Sequence, residues 1–268
     1  MNFDMNKKLL SFICALLVPL AALAENVPQR IAVLSADVGE IVVALGDKDK
    51  VVGRDQVDKN PALKDVPVVA MPRSVAAETV MSVKPDLVIG SWSVQPPTVF
   101  EQLQKTGVKA VNVMPEEGVE NFAQGIRNIG KLTGKVGQAN QLADKWQQAM
   151  SPKPSTGKRY ILSYDGRYVA GKGTAGDAII KAAGGINAAD VSGLKPLSRE
   201  GWLMAKADVI IIADHNVAQI GGIDKFIARP EIAANPAAKN HKVVSMPAGD
   251  YLRYGLNTPD TVKKLQEL

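Results

Sequence analysis

The segment Gly166-Arg-Tyr-Val-Ala-Gly171-Lys172 matches the opening of a phosphate-binding loop, whose amides would cradle a phosphate and whose lysine would neutralise it. The next residue is Gly173, where such a loop needs a Ser or Thr hydroxyl for Mg²⁺. No Gly-x-Ser-x-Gly elbow and no His-Glu-x-x-His motif occurs. The 268 residues include two histidines, His215 and His241, and one cysteine, Cys14. That supply argues against a Cys-based zinc site, a disulfide framework or a metal centre of three or four histidines. A serine nucleophile would have to recruit a distant histidine without any local signature. No enzyme and no catalytic cofactor is expected.

The remaining chemistry is recognition, so composition and order matter more. With 46% hydrophobic and 22% charged residues, the chain can bury a sizeable core. Net charge is +5, but 27 acidic residues are mixed among 32 basic ones. No long basic run appears, and a nucleic-acid partner is not expected.

Residues 1–24 have the pattern of a cleaved export signal. Lys7 and Lys8 precede an uncharged stretch from Leu9 to Ala24, which closes on the small-x-small pattern Ala22-Leu23-Ala24. The apolar stretch is about 16 residues, short for a membrane span of roughly 20, so a retained anchor is the lesser alternative. Cleavage would remove Cys14 and lower the net charge to +4 over 244 residues. An exported, thiol-free, periplasmic protein is the expectation.

The remainder alternates short β-branched runs with helical patterns. Arg30–Leu34, Val51–Gly53, Val66–Val69, Pro85–Gly90 and Lys109–Val113 predict strands. Val38–Leu45, Ala76–Val83 and Pro97–Thr106 predict helices between them. Phe122, Ile126, Ile129, Leu132, Val136, Ala139, Leu142, Trp146 and Met150 recur at steps of three and four. That stripe predicts one helix of about 32 residues, roughly 48 Å long. Gly130, Gly134 and Gly137 weaken it, and two consecutive helices are the alternative. Alternation then restarts, with strands at Arg159–Ser163, Ala207–Ala213 and Lys242–Met246 and helices at Thr174–Ala183 and Pro259–Leu268. The halves echo each other, since Lys84-Pro-Asp-Leu-Val-Ile resembles Lys206-Ala-Asp-Val-Ile-Ile. The fold class is α/β, with two lobes built on parallel-rich sheets and joined by a long interdomain helix. The boundaries fall at 25–117 for the N-terminal lobe, 118–150 for the link and 151–268 for the C-terminal lobe.

The order of motifs resembles the periplasmic substrate-binding proteins of iron-chelate and cobalamin ABC importers, most closely the hemin-binding branch. The residues that carry the resemblance include Val52-Gly-Arg-Asp55, Pro72-Arg-Ser-Val-Ala-Ala-Glu78 and Lys84-Pro-Asp-Leu-Val-Ile-Gly-Ser91. In the second half they are Ala170-Gly-Lys-Gly-Thr-Ala-Gly-Asp-Ala178, Ala183-Gly-Gly-Ile-Asn187 and Ser192-Gly-Leu-Lys-Pro-Leu-Ser198 with Glu200. The resemblance implies a monomer that captures hemin, as a transported ligand, between its lobes and delivers it to an inner-membrane permease with a separate ATPase subunit. A ferric siderophore or cobalamin is the alternative cargo.

The implied cleft lies at the carboxyl ends of the strands, where the loops carry Arg54, Arg73, Trp92, Tyr164, Arg167, Tyr168, His215 and Tyr251. Hemin needs an axial donor for iron, apolar walls for the macrocycle, and cations or amides for its propionates. The hemin branch commonly has Tyr where this chain has Met71, in Ala70-Met-Pro-Arg73. Tyr164 is then the first candidate for the iron, followed by His215 and Met71. The resemblance also implies that one Glu on each lobe pairs with permease arginines, here Glu40 and Glu200.

Overall fold

A computed structural model describes residues 27–268. The segment expected to be an export signal, 1–24, lies outside them. Five parallel strands form the first sheet in the order β3-β2-β1-β4-β5. They are β1 (Ile31–Val33), β2 (Val51–Asp55), β3 (Val68–Ala70), β4 (Leu87–Ser91) and β5 (Lys109–Met114). Helices α1 (Ala36–Ala44), α2 (Ala77–Met81) and α3 (Val99–Lys105) connect them. Strand order reverses between β1 and β4, so the loops after these two strands diverge and leave a crevice at their carboxyl ends.

The second sheet has the order β11-β10-β6-β7-β9, with β8 beside β6. Its strands are β6 (Arg159–Ser163), β7 (Tyr168–Ala170), β8 (Ile186–Asn187), β9 (Leu194–Pro196), β10 (Val209–Ala213) and β11 (Val243–Met246). Strands β6, β8, β10 and β11 are parallel, whereas β7 pairs antiparallel with β6 and β9. The α/β class with two lobes stands.

The link differs from the single helix that the apolar stripe predicts. Helix α4 (Val119–Thr133) ends where Gly134 turns left-handed at φ 74°, and α5 (Val136–Ala149) starts two residues later. The two helices fold back as an antiparallel hairpin. Arg127 Nη2 meets Asp144 Oδ1 at 2.6 Å, and the rings of Phe122 and Trp146 lie 4.4 Å apart. A side chain at Gly130 would overlap the Cβ of Ala139, so glycine there permits the close crossing. Period 3.6 is preserved across the turn, which is why the stripe reads as continuous.

Beyond the hairpin the chain carries α6 (Ala175–Ala182), α7 (Arg199–Ala205), α8 (Ile223–Ile227), α9 (Pro230–Ala233), α10 (Pro236–Lys239), α11 (Ala248–Tyr251) and α12 (Thr258–Glu267). Strand alternation assigns the core. Ile31 and Val33 of β1, with Val209 and Ile211 of β10, join one cluster that runs through the hairpin and both lobes. Ala32 and Ile210 face separate clusters on the outer sides of their sheets. The lobes therefore share a core, which resists hinge bending in place of a rigid rod.

Candidate functional site

The crevice at the reversal of strand order holds a cavity of about 170 Å³. Ala36 and Asp37 follow β1, and Trp92 and Ser93 follow β4. Asp55 and Val57 enter from the end of β2, and Glu116 and Glu117 from beyond β5. Met114 and Phe122 form the apolar floor, and Arg253 and Tyr254 of the C-terminal lobe close the far side. Aromatic surface suits a planar ligand, and Trp92, at 41% exposure, has its indole available.

Four carboxylates face this space. Asp37 accepts the Val38 amide at 2.9 Å and the Ser91 hydroxyl at 3.2 Å. Asp55 accepts the Val57 amide at 3.1 Å. Burial pushes the Asp55 carboxyl above its ordinary range, and the Asp58 and Asp37 carboxylates add to that against the Val57 amide and Arg253. Burial likewise raises Glu117, opposed by the Ala175 amide at the start of α6. Arg253 is the cation of the lining, and its Nη2 is held by Glu40 Oε1 at 3.3 Å.

The sequence candidates for the ligand separate into four groups. Trp92 lines the cavity. Tyr164 and His215 come together on the rim of the second lobe, where β6 and β10 end. Their hydroxyl and Nε2 lie 3.4 Å apart, with the rings edge-on at 5.4 Å. Asn216 holds the pair by donating to the Tyr164 carbonyl at 2.8 Å, and Asp214 lies 3.5 Å from His215 Nδ1. Arg167 in the adjoining β6–β7 turn and Tyr168 at the start of β7 are exposed, with the guanidinium 5.6 Å from the Tyr168 ring centre.

Two candidates have internal roles instead. Tyr251 is fully buried and donates its hydroxyl to the Ser163 carbonyl at 2.6 Å, fastening the loop after β11 to the end of β6. Burial drives its phenol well above the usual range, which removes it as an anionic donor. Arg54 donates to the carbonyls of Val66, Asp55 and Asp58 at 3.1, 3.0 and 3.3 Å and so clamps the β2–β3 connection. Met71 and Arg73 stand apart from the cavity in an exposed turn, with Arg73 at φ 62°.

Glu40 is also internal. Its half-buried carboxylate accepts from Arg253 and from the Leu256 amide at 3.2 Å, so it binds the lobes to each other. The symmetry between lobes identifies a different counterpart for Glu200. Glu78 is the second residue of α2 and Glu200 the second of α7, and both are exposed. Lys84 and Lys206 follow at equal distance with left-handed backbones of φ 47° and 44°. Asp86 then accepts the Arg30 amide at 3.0 Å, as Asp208 accepts the Arg159 amide at 2.8 Å. Arg30 Nε donates to the Lys84 carbonyl and Arg159 Nε to the Ala205 carbonyl, each at 2.8 Å. Glu78 and Glu200 thus occupy equivalent exposed positions in the two lobes.

The family profile described as "Periplasmic binding protein" matches residues 31–249. The chain belongs to that family. Among curated relatives, the cobalamin-binding protein of Halobacterium salinarum is 29% identical over 246 residues, 87% of this chain. The chain spans 65% of that relative's length. Among solved structures, the periplasmic heme-binding protein BhuT in complex with two hemes is 30% identical, with TM-score 0.78, covering 89% of this chain and 96% of its own. The periplasmic heme-binding protein HutB of Vibrio cholerae is 27% identical, with TM-score 0.79, covering 89% and 98%. Asp37, Asp55, Glu116, Glu117, Arg253 and Tyr254 of the lining are not among the sequence candidates, which were mostly aromatic and cationic residues of other loops. Their signal was position: the acidic ones sit at or just beyond the carboxyl ends of β1, β2 and β5.

Proposed function

We propose that this periplasmic binding protein captures hemin, a metal tetrapyrrole, between its lobes and delivers it to the permease of an ABC importer, whose ATPase is a separate subunit. The observation that carries the reading is the Tyr164–His215 pair, two iron-competent donors 3.4 Å apart on the rim at the carboxyl ends of neighbouring parallel strands. A tyrosinate is a hard anionic donor for ferric iron, and an adjacent imidazole can accept the phenol proton as the iron binds. The heme-binding character of BhuT and HutB supports the cargo class. In this reading the protein is exported and acts as a monomer, and Glu78 and Glu200 pair with cations of the permease. The test is to titrate the purified protein with hemin and follow the Soret band. A saturable shift at micromolar protein is expected; a spectrum indistinguishable from free hemin contradicts the reading.

A corrinoid cargo is the second reading. It is favoured by the carboxylates lining the cavity, which can accept hydrogen bonds from a corrin's amide groups, and by the cobalamin-binding relative. A cyanocobalamin titration separates the two.

A further inference from the structure

Helix α7 leaves apolar surface where its counterpart in the other lobe does not. Trp202 and Ala205 turn into the C-terminal lobe, and the opposite face carries Glu200, Leu203 and Met204 at spacings of three and four. Leu203 is 41% exposed, and Met204, at 72%, is the most exposed large apolar side chain among the described residues. Arg199 beside them is drawn to Glu231, at 3.6 Å, and Glu200 has no ion-pair partner among the described residues. The result is a compact patch, two apolar side chains edged by a free carboxylate, which is the anatomy of an interface anchor.

The equivalent helix shows what the fold itself requires. Helix α2 buries Val80 as α7 buries Trp202, and it places Glu78 where α7 has Glu200. The positions of Leu203 and Met204 are there taken by Met81 and Ser82. Met81 is half-buried, with its sulfur 3.5 Å from the Thr106 hydroxyl, and the Ser82 hydroxyl donates to the Thr79 carbonyl at 2.7 Å. Both are accounted for inside their own lobe. A lobe of this design folds without exposed apolar groups at these places, so the pair on α7 serves a contact outside the chain.

Resting on the reading of Glu78 and Glu200 as permease contacts, we infer that α7 is the apolar anchor of docking and that α2 contributes charge alone. Met204 and Leu203 enter an apolar hollow of the permease, and Glu200 meets a cation at its edge. Two equivalent carboxylates can meet two cations in either of two orientations. The apolar pair makes the lobes unequal and fixes which lobe goes where. The charge selects this occupant. Glu200 lies one turn away, roughly 6 Å along the helix, and disfavours an anionic lipid surface. A second copy, packed about a two-fold axis on this patch, would bring Glu200 against its own equivalent.

The experiment measures docking of the intact protein to the importer's permease–ATPase complex in nanodiscs, by biolayer interferometry. Wild type is compared with Met204→Ser, which copies Ser82, with Leu203→Ser and with Glu200→Gln. Each serine variant should weaken docking by on the order of tenfold, equally at low and high salt, with an unchanged melting temperature for the free protein. The Glu200→Gln effect should shrink as salt rises. Unaltered docking in both serine variants, with a loss in Glu200→Gln, overturns this inference and leaves the permease role of the carboxylates intact. No loss in any variant, or no docking of wild type, overturns both. A concentration-dependent dimer that Met204→Ser abolishes in sedimentation assigns the patch to a second copy and overturns the inference. Binding to phosphatidylglycerol vesicles that Met204→Ser abolishes overturns it in favour of a lipid surface.

Discussion

Glu40, on the first helix of one lobe, holds Arg253 and the Leu256 amide of the other lobe, at 3.3 and 3.2 Å across more than 200 positions of sequence. The loop they share is fixed from a third side, because Trp146 of the hairpin donates its indole N–H to the Gly255 carbonyl at 2.9 Å. The gap between the lobes is thus set by hydrogen bonds at the base of the cleft. Glu40→Ala should leave both donors without their acceptor and destabilise the protein by about 1–3 kcal/mol in urea unfolding. Glu40→Gln, which still accepts, should cost less.

Burial raises the carboxyl of Glu40 despite the attraction of Arg253, and it raises Asp55, Asp58 and Glu117 as well. A carboxyl raised in the folded state binds protons more tightly there, so stability falls as pH climbs from the unfolded value, roughly 4, through the folded one. Asp177 opposes this. Burial would raise it, but bonds from Lys181, the Gly173 amide and Asn187 outweigh that and hold it low, so its stabilisation is lost only in stronger acid. The melting temperature by calorimetry should therefore rise as pH drops from 7 towards about 5 and fall below about 4. A monotonic decline from pH 7 downward would contradict the assignment of the buried acids.

Tyr251→Phe should cost about 1–2 kcal/mol through loss of a buried hydrogen bond to Ser163, with no change in the spectrum of a hemin complex. A changed Soret band in that variant would return Tyr251 to the ligand site.

Gly130→Ala should destabilise the hairpin by about 1–3 kcal/mol in urea unfolding, because the new Cβ collides with Ala139. Gly137→Ala, on the same hairpin with open space at its Cβ, should stabilise by about 0.5–1 kcal/mol.

Glu78→Arg with Glu200→Arg should abolish ligand-dependent stimulation of the importer's ATPase in proteoliposomes while leaving the ligand dissociation constant unchanged. If the pair weakens ligand binding equally, the two carboxylates serve the cleft and not the permease.

The strand–helix alternation was legible because inward and outward residues of β1 and β10 are both apolar, a pattern that only a doubly covered sheet produces. The break was legible only as the two-helix alternative that Gly130, Gly134 and Gly137 raised, and the fold-back was not, since a period alone carries no direction. Strands β7 and β9 have three residues each, too few to show an alternation. In the site, the placement of Trp92 on the cavity and of Tyr164 and His215 together at strand ends follows from the loops that carry them. Tyr251 was misread because its chemistry is the same whether its hydroxyl meets a ligand or the Ser163 carbonyl. The acidic lining was missed because carboxylates at strand ends look like ordinary solvated loops until Arg253 and Tyr254 arrive from the other lobe to enclose them.

The most direct test of the proposed cargo chemistry is the absorption spectrum of the ferric hemin complex in wild type and Tyr164→Phe at matched occupancy. Loss of the phenolate-to-iron charge-transfer band and a displaced Soret maximum in the variant, with an unchanged melting temperature for the free protein, is the predicted result. Identical spectra would show that the iron is held elsewhere and would contradict the role given to the Tyr164–His215 pair.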